Sequence, residues 1–187
     1  MDHPDLEERR VLLDAGGVAR VLDDLARRIH AYADRREIAV VGIQTGGVFL
    51  AARIIERLHA LGAPRAPLGV LDITLYRDDI FLGLQQPLVR KTDIPFEVTA
   101  ADVILVDDVL YTGRTIRAAL DALVDFGRPR AIRLAILVDR GLREYPIQPD
   151  WAGVVTETSA DETVRVELVE GGAAEDRVVV YGRKDRR

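Results

Sequence analysis

Val103-Ile104-Leu105-Val106-Asp107-Asp108-Val109-Leu110-Tyr111-Thr112-Gly113-Arg114-Thr115 decides the reading of this 187-residue chain. An apolar strand runs into two adjacent carboxylates, then a Thr/Gly turn, then the start of a helix. That order suits a phosphorylated ribose. A helix N-terminus offers unpaired backbone N–H groups and the positive end of its dipole to a phosphate. Gly113 lets the backbone approach closely, and the hydroxyls of Thr112 and Thr115 can donate to phosphate oxygens. Asp107 and Asp108 are suited to accept from sugar hydroxyls at the carboxyl end of a parallel strand, where open α/β sheets bind ligands. Adjacent strand residues face opposite ways, so the pair is expected where the strand ends and the chain turns. A Thr/Gly turn after a strand can also be only a capped helix. Neither a Walker Gly-Lys-Ser/Thr nor a Gly-x-Gly-x-x-Gly is present, so ATPase and dinucleotide readings have no support.

Outward from this stretch, strands and helices alternate. Val18, Val21, Leu22, Leu25, Ile29 and Tyr32 keep a helical period over 16–35, and Ile38–Ile43 reads as a buried strand. A helix is expected from Gly47 to Leu61, closed by Gly62 and Pro64. Further strands are expected at Val70–Tyr76, Val103–Val106 and Ile132–Val138, with a helix over Arg114–Phe126. Residues 77–96 carry no period and read as a mobile loop or pairing β-arm. Short strands near 153–156, 164–169 and 178–181 are expected to form a small C-terminal hood or an edge extension of the sheet. The fold class is α/β: a mostly parallel sheet flanked by helices, in a single domain over 1–187.

Composition narrows the function classes. The chain is 48% hydrophobic and 30% charged, enough for a real core. It has no cysteine, which excludes disulfides and Cys-ligated zinc and fits a reducing cytoplasm. No apolar run reaches the ~18–20 residues of a membrane span, and the acidic N-terminus lacks a signal-peptide core. A formal net charge of −5 argues against non-specific nucleic-acid binding. His3, His30 and His59 are scattered, and no dedicated metal cage is visible.

The run Asp107–Ala119 resembles the phosphoribosyl pyrophosphate (PRPP) signature of type I phosphoribosyltransferases. It is closest in wording to the PyrR family of pyrimidine-operon regulators with uracil phosphoribosyltransferase activity. Leu71-Asp72-Ile73-Thr74-Leu75-Tyr76-Arg77-Asp78-Asp79 is similar to that family's third strand and loop start. Leu137-Val138-Asp139-Arg140-Gly141 is similar to its base-binding turn, and Gly42-Ile43-Gln44-Thr45-Gly46-Gly47 to its pyrophosphate loop. The resemblance spans roughly residues 11–170.

The resemblance implies the type I phosphoribosyltransferase fold and the reaction PRPP plus uracil giving UMP and diphosphate, with Mg²⁺ held mainly by PRPP. It implies Asp107 and Asp108 on the ribose 2′ and 3′ hydroxyls. Tyr111, Thr112, Gly113, Arg114 and Thr115 would hold the 5′-phosphate. Gln44, Thr45, Gly46, Gly47 and Arg77 would hold the pyrophosphate, with Arg90 and Lys91 as further candidates. Val138, Asp139 and Arg140 would hold uracil through backbone groups and the Arg140 side chain. It also suggests a strained, cis peptide at Thr45-Gly46, and homodimers or homotetramers. Many relatives carry basic residues at 44 and 46, where this chain has Gln44 and Gly46.

Three alternatives stay open: a UMP-responsive attenuator binding pyrimidine leader mRNA, a purine phosphoribosyltransferase, and a binding protein without turnover. RNA binding needs a basic surface. Arg27 and Arg28 follow Asp23 and Asp24, Leu142 stands where many RNA-binding relatives have His, and Gln148 stands where a basic residue is common. Arg143 and the basic tail at 183–187 remain.

Overall fold

The computed structural model describes residues 6–33, 36–78 and 91–184. Its elements in order are β1 (Leu6–Leu13), α1 (Ala15–Ala33), β2 (Ile38–Ile43), α2 (Gly46–Ala60), β3 (Leu68–Leu71), β4 (Asp102–Leu110), α3 (Arg114–Val124), β5 (Ala131–Asp139), β6 (Trp151–Val155), β7 (Thr163–Glu167) and β8 (Arg177–Arg183).

Five strands form a parallel sheet in the order β3-β2-β4-β5-β6. β2 and β4 are almost uninterrupted apolar runs because helices cover both faces. On one face Val18, Leu22, Leu25 and Ile29 of α1 meet Leu50, Ile54 and Leu58 of α2 over Val40, Ile104 and Leu137. On the other, Ile116, Ala119 and Leu123 of α3 pack on Val41, Leu105 and Ile136. The order of strands reverses between β2 and β4. The crevice at their carboxyl ends is the place where doubly wound sheets take ligands.

The hood is a three-stranded antiparallel sheet, β1-β8-β7. It is clasped to α2 by Arg53, whose guanidinium bonds Glu170 at 2.7 Å and Asp176 at 2.5 Å. The C-terminal strands divide between the two alternatives. The strand at 151–155 pairs parallel with β5 and is an edge extension of the main sheet, while β7 and β8 form the hood. The hood also recruits β1, whose charged run Glu7-Glu8-Arg9-Arg10 hides a strand that is exposed over its middle.

The strand expected over Val70–Tyr76 stops at Leu71. Asp72 Oδ1 accepts from Thr74 N at 2.8 Å and Thr74 Oγ1 at 2.5 Å, turning the backbone into a single 3₁₀ turn at Thr74–Tyr76. Beyond it, Asp79 and Arg90, most of the expected loop, and Arg186 and Arg187 of the tail lie outside the described residues, as does His3. Among the described residues no helix is long and apolar enough to cross a membrane.

Candidate active site

The three main helices begin differently. Asp14 caps α1, its Oδ1 accepting from Gly17 N at 2.6 Å. Neither α2 nor α3 has a side-chain cap. These two uncapped ends follow β2 and β4, the strands that flank the reversal point. First-turn N–H groups need partners; Arg114 N has Thr112 Oγ1 at 3.4 Å, and both helix ends stand at the carboxyl ends of these strands, where an anion would bind. Gly113, at the cap position of α3, has φ 92°, a left-handed conformation that glycine adopts without strain.

A cavity of about 240 Å³ opens at this point, lined by Arg77 and residues 109–115. It joins all five residues of the expected phosphate loop to the expected loop-stem arginine. A larger cavity, about 660 Å³, lies at the amino ends of the strands, near Pro67, Phe96 and Arg130. None of the signature residues line it, and the chemistry of the fold belongs to the other end.

Asp107 and Asp108 do not sit at a strand end. β4 continues through them to Leu110, because β5 keeps pairing as far as Leu110 opposite Asp139. Asp107 is buried, 6% exposed. Its carboxyl is pushed well above the ordinary range, first by burial and then by the charge of Asp108, with Arg77 pulling the other way. Asp108 is also raised by burial, partly offset by hydrogen bonds that include Asp107 and the backbone of Val109. Oδ1 of Asp107 accepts from Asp108 N at 3.0 Å, and Oδ1 of Asp108 from Val109 N at 2.8 Å.

The 44–47 turn packs tightly on β4. A Cβ on Gly47 would strike the Val106 carbonyl and lie 3.1 Å from Asp107 Cα. A Cβ on Gly46 would run into the Asp108 carboxylate. The space that a side chain at position 46 would need is thus filled by the Asp108 side chain. A non-proline cis peptide is present, at Gln44-Thr45, one bond earlier than expected. Gln44 Nε2 lies 3.5 Å from the Lys91 carbonyl, so the far stem of the 77–96 segment also reaches the crevice.

Arg114 is engaged sideways. Its guanidinium bonds Asp78 at 2.8 Å and Glu144 at 2.8 Å, and stands over the Tyr145 ring. Any phosphate contact from this residue therefore falls first to its backbone. Asp139 is also committed: Oδ1 accepts from Gly141 N at 3.0 Å and Oδ2 from Arg143 at 2.6 Å. Arg143 further donates to the carbonyls of Ile147, Tyr111 and Gly141. It acts as a brace inside the turn and is largely withdrawn from solvent. Arg140 is 5% exposed and lies over the Tyr111 ring, 4.1 Å from its centroid.

The sequence reading missed Glu144 and Tyr145, whose N–H groups both bond the Thr112 carbonyl at 2.9 Å. It also missed Thr158, which bonds Arg140. No motif spacing marks these contacts, since they depend on how the 142–147 turn folds under the phosphate loop. No group of three or more His, Cys, Asp or Glu able to hold a metal occurs among the described residues.

The phosphoribosyl transferase domain family matches residues 10–170. The bifunctional protein PyrR of Roseiflexus sp. (strain RS-1) is 51% identical over 164 residues, 86% of this chain and 90% of that protein. The bifunctional protein PyrR of Syntrophobacter fumaroxidans is 50% identical over 172 residues, 91% of this chain and 92% of that one. The hypoxanthine phosphoribosyltransferase of Trypanosoma cruzi superposes with a TM-score of 0.72 over 95% of this chain and 98% of that one, at 14% identity, which speaks for the fold alone. With a family match over most of its length and relatives at half identity, the chain belongs to the PyrR family of type I phosphoribosyltransferases.

Proposed function

We propose that this phosphoribosyltransferase moves the phosphoribosyl group of PRPP to uracil, forming UMP and diphosphate. The observation that carries the reading is the convergence of two helix N-termini without side-chain caps and an adjacent carboxylate pair, buried Asp107 and half-buried Asp108, at the reversal point of the sheet. A substrate with a phosphate at one end, a diphosphate at the other and a diol between them matches that spacing of donors and acceptors.

In this reading the backbone of 111–115 holds the 5′-phosphate, and the turn at Gln44, Thr45, Gly46 and Gly47 with Arg77 holds the diphosphate. Asp107 and Asp108 accept from the ribose hydroxyls. Their negative charge also favours the positive charge that develops at the anomeric carbon as its bond to diphosphate oxygen breaks and the bond to uracil N1 forms. The N1–H bond breaks in the same reaction, and its proton is released to water. Val138, Asp139 and Arg140 border the base, with the Asp139 side chain serving the turn. Mg²⁺ on PRPP supplies Lewis-acid charge neutralisation. The acidic pair fits such a role at the ribose edge, and with neutral Gln44 and Gly46 the diphosphate itself must supply most of the ligands.

Conversion of labelled uracil to UMP with PRPP and Mg²⁺, beside an Asp107→Asn/Asp108→Asn control, tests the assignment. Activity in the parent chain and its loss in the control is the expected result. Turnover of hypoxanthine or guanine in place of uracil would overturn the base.

The relatives' shared word "bifunctional" supports a second reading, UMP-dependent binding of pyrimidine leader RNA. Its side-chain basis here is thin: Arg28 pairs with Asp24 at 2.9 Å, and Arg143 is committed within its turn. A mobility shift at low salt with UMP present is the test, and no shift rejects it. Self-association into dimers or tetramers belongs to the same proposal and is read by light scattering.

A further inference from the structure

Arg140 stands at the end of β5 as a nearly buried cation without a salt bridge to an acid among the described residues. Burial lowers its pKa. Such a group keeps one orientation only if neutral acceptors hold it. Two do. Nε donates to Thr158 Oγ1 at 2.9 Å, and Nη2 donates to the Ser159 carbonyl at 2.9 Å. The Tyr111 ring covers one face of the guanidinium plane.

The two acceptors lie on the connection from β6 to the hood, 18 and 19 residues from Arg140. That connection is itself fixed at both ends. Thr156 N bonds the Asp139 carbonyl at 2.9 Å, Ser159 N bonds Glu162 at 2.9 Å, and Arg10 of β1 bonds the Glu157 carbonyl at 2.8 Å. One route from the hood to the active crevice therefore runs through this short segment, which ends on Arg140.

A guanidinium has five N–H donors and no acceptor. With Nε and one Nη2 hydrogen committed, its remaining edge can only donate. We propose that Thr158 and Ser159 are positioning residues that fix the plane of Arg140 against Tyr111, so that the base subsite takes a pyrimidine with a carbonyl at this edge and rejects one with an amino group. The inference rests on the uracil reading above. A site whose fixed donors meet a carbonyl leaves donor facing donor when an amino group takes its place, and such mismatches discriminate strongly.

Thr158→Val removes the hydroxyl and keeps the shape, while Thr158→Ser keeps the hydroxyl. Steady-state kinetics with uracil and PRPP varied separately give the split. Thr158→Val is expected to raise KM for uracil by about ten-fold, the loss of one hydrogen bond to a charged group. Its KM for PRPP should stay within two-fold, and Thr158→Ser should stay near the parent. Competition by cytosine should be undetectable in the parent and measurable in Thr158→Val. Equal rises in both KM values, or unchanged kinetics in Thr158→Val, overturn the positioning role while leaving the uracil reading intact. A parent chain that makes UMP from uracil no faster than the acidic-pair control overturns the uracil reading and this inference with it. Equal melting temperatures for the variants separate either result from misfolding.

Discussion

Replacing Asp107 by Asn should make the ligand-free protein more stable while disabling it. Asp107 is 6% exposed, and its carboxyl is held well above the ordinary range by burial and by the Asp108 charge. Ionising it in the native state therefore costs free energy that the unfolded chain does not bear. Between the unfolded and the native pKa the native state binds the extra proton, so this contribution makes stability fall as pH rises. The penalty is absent near pH 4 and complete once pH exceeds the native value. Asparagine never ionises, and its Oδ1 can still accept from Asp108 N. One pH unit of elevation corresponds to about 1.4 kcal/mol, and in a chain of this size each kcal/mol moves Tm by about 2–4 °C. Asp107→Asn is thus expected to raise Tm at pH 8, by about 2–4 °C for each kcal/mol of burial penalty relieved, with the gain shrinking towards pH 4.5. Thermal melts of both proteins across that range, followed by circular dichroism, give the curve. PRPP with Mg²⁺ should stabilise the parent and not the variant. A variant less stable at pH 8, or a gain independent of pH, would refute the reasoning.

Gly47→Ala places a methyl against the Val106 carbonyl; overpacking of this kind costs about 1–3 kcal/mol, and PRPP protection in thermal melts should disappear with it. Arg53→Ala leaves Glu170 and Asp176 without their shared partner. Both carboxylates are held below their ordinary values by Arg53, so the contribution is present above about pH 4–5 and lost as pH falls through the native values. The variant should lose about 1–2 kcal/mol at pH 7 in urea unfolding, and the difference should narrow as pH falls below about 4. Arg143→Ala takes a donor from three carbonyls and leaves Asp139 Oδ2 without its cation; a loss of about 3 kcal/mol or more is expected, whereas an arginine serving only as an external contact would leave the melt unchanged.

The parts of the fold legible in the sequence are those with a local signature. The apolar runs of β2, β4 and β5 and the 3.6-residue period of α1 mark buried elements without further context. The Thr-Gly turn before α3 marks a helix start because Gly113 needs a positive φ. What the sequence conceals depends on partners distant in the chain. β1 has a polar middle and becomes a strand only by pairing with β8, about 170 residues later. β4 runs on through two acids because β5 supplies the ladder. Arg114 and Arg143 look alike as surface cations in a string of letters, and only the folding of the 142–147 turn commits one to Asp78 and Glu144 and the other to four acceptors.

The contact between Gly46 and the Asp108 carboxylate makes the order of evolutionary change matter. A lineage with a side chain at position 46 must keep Asp108 in another rotamer, and one with Asp108 seated against the turn can carry only glycine there. A single change such as Gly46→Arg therefore has to displace the Asp108 carboxylate before it can contribute any charge to the site. Residues 46 and 108 are expected to be epistatic, because a side chain at 46 is accommodated only as the Asp108 carboxylate turns away, off its present bond to Val109 N.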